Sequence, residues 1–152
     1  MNNVILSDSE ARRLLEMIKV SLKSAIEFPP MGKDTKFEVR GDTFKDVFTI
    51  NIYRSKYNQL KYNYGALIKK NGIMILKLHI SPSKVHQNPD GAKIIGSHWH
   101  IYTEEHFCRE AYPAPDINAD DFIENSIMFF NKFNIIEKPK IIYQYRTGDK
   151  RQ

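Results

Sequence analysis

At 152 residues, 41% of them hydrophobic and 27% charged, the chain has the make-up of one domain, residues 1–152, able to bury a core without staples. Its single cysteine, Cys108, excludes an internal disulfide, and no apolar run reaches the roughly 20 residues of a membrane-spanning helix. A formal net charge of +5 favours an anionic partner, because each phosphate neutralised by Lys or Arg releases a counterion.

The opening MNNVILSDSEARR has neither the charged start nor the long apolar run of a signal peptide, so a cytoplasmic protein is expected. Ser7 and Glu10 have capping-box spacing. Leu14, Leu15, Ile18, Leu22, Ala25 and Ile26 then fall on one helical stripe, which predicts a helix ended by Pro29-Pro30 and packed on a sheet. From Lys36 the period drops to two. Phe37 and Val39, then Phe44 onward through Ile50 and Ile52, predict two strands turned at Gly41-Asp42. A polar loop over 56–60 leads to strands 62–68 and 73–80 around Asn71-Gly72, a tight-hairpin dipeptide. On the second strand Met74, Leu76, Leu78 and Ile80 share one face, while Ile73, Ile75, Lys77, His79 and Ser81 share the other. Asn88-Pro89-Asp90-Gly91 reads as a turn and 94–102 as a further strand. After the Pro-containing stretch 111–116 a second helix starts near Asn118 or Asp120, with Phe122, Ile123, Ile127, Phe130 and Phe133 as its buried stripe. A closing strand at 141–145 precedes the basic run 146–151. The class is α+β, a mostly antiparallel sheet curled or half-closed, with helices against it.

Chemistry concentrates after the hairpin. The loop Ser81-Pro82-Ser83-Lys84-Val85-His86 follows a buried strand, and loops on rigid scaffolds are where sites gather. Alternation sets His98, His100 and Tyr102 on one face of the next strand, with Trp99 and Ile101 on the other. Cleaving RNA through its own 2′-hydroxyl needs a base, an acid and a stabiliser of the charge on phosphorus. Lys84 supplies a cation, Ser81 a hydroxyl, and His86 or His98 a proton shuttle that titrates near neutrality. Metal chemistry is the weaker reading, because the His-x-His pair lacks a third ligand at characteristic spacing; no metal or other cofactor is expected. Cys108 near His106 has the residue types of a Cys–His nucleophile, without a helix start or an orienting partner. Lys56, Tyr57, Lys61, Tyr62, Tyr64, Lys69 and Lys70 interleave cations with rings, the means by which single-stranded RNA is held. His100 and Tyr102 join them as candidate RNA contacts.

Tyr64-Gly65, Asn71-Gly72, Leu78 and Ser81-Pro82, followed by Lys84 and His86, resemble the endoribonuclease toxins of type III toxin–antitoxin systems, the ToxN-like family. The matching pattern covers about a quarter of the chain. Ser83 stands between Pro82 and the lysine, where the family pattern has the lysine directly, and His98-x-His100 lies outside the pattern. The resemblance implies metal-independent RNA cleavage that leaves a 2′,3′-cyclic phosphate and a 5′-hydroxyl. It implies a Kid/MazF-like curved barrel with added helices, and inhibition by a repetitive antitoxin RNA in a closed protein–RNA hetero-oligomer. Carried residue by residue, it points to Ser81 and Lys84, and to Lys56, Tyr57 or Lys61 upstream. Two other classes stand beside it. One is a non-catalytic RNA- or protein-binding module of phage or plasmid origin, and the other a small metalloprotein using His98 and His100.

Overall fold

Alternating apolar residues build a meander at the centre of the chain. The computed structural model describes residues 5–115 and 117–143. Strands β3 (Asp34–Arg40), β4 (Val47–Arg54), β5 (Tyr62–Ile68) and β6 (Met74–Ile80) pair antiparallel, with Phe37 opposite Ile50, Ile50 opposite Ala66 and Ala66 opposite Leu76. β9 (His98–Ile101) extends the sheet beyond β6, and β10 (Ala111–Pro113) extends it beyond β9. At the other side β1 (Lys19–Ser21) pairs antiparallel with β3 and parallel with β11 (Ile135–Glu137). The eight strands run β10-β9-β6-β5-β4-β3-β1-β11. The end strands β10 and β11 do not pair with each other, so this mostly antiparallel sheet is open and is not a closed barrel. Two small sheets complete the described residues, a parallel pair of β2 (Ala25–Glu27) with β12 (Lys140–Ile142) and a hairpin of β7 (Val85–Gln87) with β8 (Lys93–Ile95).

Helix α2 (Phe122–Lys132), capped by the Asp121 side chain on the Glu124 N–H, covers one face of the sheet. Its rings meet strand rings across that face: Phe129 stacks on Tyr64 at 5.3 Å, Phe130 meets Phe37 at 5.6 Å, and Phe133, just beyond the helix, meets Phe48 at 5.2 Å. A period of two therefore sends Phe37, Phe48, Ile50, Tyr64, Leu76 and Leu78 into this layer and leaves Lys77 and His79 on the opposite side. Among the described residues, no helix is long and apolar enough to cross a membrane.

The first helix is shorter than its stripe predicts. Helix α1 (Asp8–Glu16) is capped by Ser7 on the Glu10 N–H, as the spacing implies, but ends at Glu16. Lys19 is flanked by the β-branched Ile18 and Val20, which prefer an extended chain, and Lys19 itself supplies a stop. Its ammonium is fully buried and donates to the carbonyls of Leu15, Met17 and Phe133 at 3.0, 2.8 and 2.8 Å. One cation thus serves the C-terminal ends of both helices, where the backbone dipoles favour positive charge. Ile18 and Leu22, expected inside, are exposed.

Three further differences have local causes. Phe44 is exposed in the turn between β3 and β4. The expected strand over 94–102 breaks at Gly96, whose φ of 91° suits a residue without a side chain. On α2 Ile123 is exposed, and Asn125 and Ser126 take the inner positions instead because they bond Tyr62 and Tyr64. The closing strand is Lys140–Ile142; positions 144–152, including the basic run, lie outside the described residues.

Candidate active site

Four imidazoles meet on the sheet face that α2 leaves open. Directly opposed residues of an antiparallel pair share a face; His79 on β6 stands opposite His98 on β9, and Lys77 opposite His100. The β7–β8 hairpin, turned at 88–91 with Gly91 at φ 92°, adds His86 above them. Its anchor is Asn88, whose amide donates to the Ala111 carbonyl at 3.0 Å while its Oδ1 accepts from the Ala111 N–H at 2.7 Å. That reciprocal pair makes the buried Asn88 side chain stand in for a strand neighbour of β10. Ring centroids lie 4.8 Å apart for His98–His100, 5.0 Å for His86–His100, 5.3 Å for His86–His98 and 5.2 Å for His79–His98.

The rings border an open cleft of about 450 Å³, lined also by Lys77, Lys84, Gln87, Pro89, Cys108 and Arg109. Three cations and four imidazoles thus face this space without a carboxylate among its lining residues. Burial, then Lys84 and His98, pull His79 down to about 3. Burial, then His98 and His86, pull His100 to about 4. His98 is also lowered by burial, against the raising effect of the Gly96 carbonyl, and Lys77 is lowered by burial and by Lys84. At neutral pH the buried rings are uncharged, and the lysines and Arg109 carry the positive field.

Backbone carbonyls orient the rings. His98 Nδ1 donates to Gly96 O at 2.8 Å, and His86 Nε2 donates to Arg109 O at 2.9 Å. A carbonyl only accepts, so each of these nitrogens carries its proton and the opposite nitrogen presents a lone pair. His98 Nε2 is buried with no hydrogen-bond partner, and so is His100 Nδ1, on a ring that also engages the Cys108 backbone.

The structure brings together His86, His98, His100 and Lys84 as the sequence anticipates, and adds Lys77, His79 and Arg109. Lys77 and His79 were visible as polar residues on the non-core face of β6, whereas Arg109 carries no sequence signal of its own. Ser81 does not line the cleft: it is 3% exposed, and its N–H donates to Ser97 Oγ at 3.0 Å. Cys108 is no nucleophile of the thiolate kind, since its Sγ–H donates to Met74 O and burial pushes the thiol up to about 12.

The expected tyrosine contacts need correction. Tyr62 and Tyr64 are core residues, 1% and 0% exposed, with hydroxyls on Ala119 O and Ser126 Oγ. Opposed to Ile80 and Leu78, they share the apolar face under α2 and cannot stack on a base. Tyr102 is buried as well, and its hydroxyl accepts from the Leu6 N–H at 2.9 Å. Lys69 is paired with Glu38 at 2.7 Å. Lys56, Tyr57 and Lys61 are exposed on the loop before β5, which leaves the same end of the sheet as Ser81 because Tyr62 stands opposite Ile80. The ring that does share the cleft's face is Tyr53. Cross-strand register runs His98, His79, Asn63, Tyr53 in one row and His100, Lys77, Gly65, Asn51, Lys36 in the next.

The model of a family of unknown function, DUF6978, matches residues 6–135. The chain belongs to that family. The matched span contains every residue that lines the cleft. No curated protein and no solved structure matches the chain.

Proposed function

We propose that the cleft is the active site of a metal-independent endoribonuclease that cuts single-stranded RNA by attack of its own 2′-hydroxyl. The observation that carries this reading is the lining: four imidazoles and three cations, with no carboxylate to repel a phosphodiester. His98 Nε2 takes the 2′-hydroxyl proton, since its Nδ1 is tied to Gly96 O and its free lone pair faces no competing donor. The 2′-oxygen attacks phosphorus and the bond to the 5′-oxygen breaks. The Lys77 ammonium, lowered by burial toward easier proton release, gives its proton to that leaving oxygen. Lys84 and Arg109 hold the non-bridging oxygens, and His86 and His100 wall the site. The products are a 2′,3′-cyclic phosphate and a 5′-hydroxyl. Ser81 serves by fixing the start of the Lys84 loop through Ser97.

The RNA strand approaches along the row His79, Asn63, Tyr53 of the same sheet face, stacking on the exposed Tyr53, while Lys56, Tyr57 and Lys61 take phosphates beyond it. The pattern around Ser81-Pro82 supports a type III, ToxN-like toxin of the cytoplasm, held inactive in a closed assembly with a repeat antitoxin RNA. In that reading the open sheet is a curved relative of the Kid/MazF-like fold. Purified protein incubated in EDTA with mixed-sequence RNA tests the proposal. Cleavage is expected, reduced about 10²–10³-fold in Lys84→Ala and more in His98→Gln. RNA bound but left intact by folded protein would replace the enzyme with a binding module.

A further inference from the structure

The three rings that converge on one point have a second capability. His86, His98 and His100 each offer a ring nitrogen, and the three nitrogens lie within 4.8 Å of one another. Each ring is held from behind by backbone: His86 by Arg109 O, His98 by Gly96 O, His100 by Cys108. A histidine that gives one N–H to a backbone carbonyl and points its other nitrogen inward is the usual posture of a metal ligand, because the carbonyl fixes both tautomer and ring plane. Two of the inward nitrogens, His98 Nε2 and His100 Nδ1, are buried without any partner. An orphaned buried acceptor is costly, and two beside each other on side chains 0% and 6% exposed mark a place built around something else.

We propose that His86, His98 and His100 form a three-histidine site for a divalent transition metal of the Zn²⁺ and Co²⁺ type, its fourth position open to the cleft. The donor set is all imidazole nitrogen. It suits those ions and is wrong for Mg²⁺ or Ca²⁺, which want oxygen. Ligand nitrogens around a tetrahedral Zn²⁺ sit about 2.0–2.1 Å from the ion and so about 3.4 Å from each other. Closing the set onto an ion therefore takes shifts on the order of 1 Å, which the hairpin carrying His86 supplies most readily. His79 stands behind His98 and lies outside the set. Cys108 keeps its thiol on Met74 O. Lys77, Lys84 and Arg109 around the open position select an anion, such as phosphate or hydroxide, as the fourth ligand.

The site does not depend on the ribonuclease reading. Where both hold, they compete for the same atom: a metal on His98 Nε2 removes the lone pair that would accept the 2′-hydroxyl proton, so occupancy switches cleavage off. The test uses the full chain, stripped with EDTA and titrated with Co²⁺ in the visible and with Zn²⁺ by calorimetry. One equivalent of Co²⁺ should bind with the intense absorption of a four-coordinate ion. His86→Ala and His98→Gln should each weaken binding at least about 100-fold, and Asn88→Ala, which frees the His86 hairpin, about 10–100-fold. His106→Ala, outside the cleft lining and the three-histidine set, should leave affinity unchanged. His86→Ala keeps the test clear of folding defects, because that ring sits on the half-exposed hairpin. No Co²⁺ band on folded protein, or equal affinity in His86→Ala, overturns the site. Zn²⁺ should also stop RNA cleavage, with EDTA restoring it. Cleavage that requires Zn²⁺ would keep the site and overturn the metal-free mechanism instead.

Discussion

Asn88→Ala tests whether the histidine cleft is an assembled object or a coincidence of neighbouring strands. The side chain is 8% exposed and makes two short bonds, 3.0 and 2.7 Å, to the carbonyl and N–H of Ala111. Truncation leaves both backbone groups of the outermost strand without that partner. An orphaned buried group costs about 1–3 kcal/mol, and water reaching the edge of β10 offsets part of it, so a net loss of about 2 kcal/mol is expected. At this chain length that lowers Tm by roughly 4–8 °C. The functional loss should be disproportionate, because the freed hairpin carries His86 and sets the Lys84 loop through the Gly96 N–H to Lys84 O bond. Single-turnover RNA cleavage in EDTA should fall about 10–100-fold, the usual cost of losing a supporting contact to a site, at a temperature where the variant is fully folded. Asn88→Asp, which keeps the acceptor and loses the donor, should fall between. Cleavage at the unaltered rate from Asn88→Ala would refute the coupling of hairpin to cleft.

Other contacts of the fold have equally direct consequences. Lys19→Met removes a buried cation from three carbonyls and from the Phe133 ring 3.7 Å away. Burial draws its pKa down to about 7, yet three acceptors match the three N–H donors of an ammonium. The variant should lose about 3 kcal/mol by urea unfolding and keep its cleavage rate per folded molecule; a loss below about 1 kcal/mol would show that the two helix ends do not need the cation. Acid stability tests the buried rings: His79 and His100 titrate at about 3 and 4 in the fold against 6.5 when free. Above pH 6.5 they are neutral in both states, and as pH falls below it the unfolded chain takes up protons first. Metal-free protein should therefore lose stability between pH 6.5 and 4, by up to about 1.4 kcal/mol per pH unit for each ring, and His79→Gln should flatten the slope; parallel profiles would contradict the burial argument. For RNA, Tyr53→Ala should weaken binding by about 1–3 kcal/mol in a filter or anisotropy assay. Tyr64→Phe should change only stability, and an RNA-binding defect there would put the strand on the wrong face.

Much of this site was legible because its elements are local. Asn71-Gly72 turns the hairpin with Gly72 at φ 76°, and alternation along β6 and β9 sets Lys77, His79, His98 and His100 on the face opposite Leu76 and Leu78. The same alternation held the answer for Tyr62 and Tyr64, since they face Ile80 and Leu78 across the register, but a ring beside lysines reads as an RNA contact until that register is known. His86 was legible as a candidate from its loop, but the contact that brings it onto the His98–His100 pair was not. It reaches the pair through Asn88 and Ala111, 23 residues apart, and no spacing rule encodes a side chain that imitates a strand. The first helix misread for a related reason. Ile18, Leu22 and Ile26 recur at helical intervals, yet the chain there forms the short strands β1 and β2, and Lys19, bonding two helix ends over a separation of 114 residues, holds the first helix short of them.

The most direct measurement compares one RNA oligonucleotide with its all-deoxy counterpart, both incubated with EDTA-stripped protein and resolved by mass spectrometry. The account predicts cleavage of the RNA alone, with products ending in 2′,3′-cyclic phosphate and beginning with a 5′-hydroxyl, and none from His98→Gln. Cutting of the deoxy strand, or RNA products with 5′-phosphate ends, would contradict attack by the 2′-hydroxyl in this cleft.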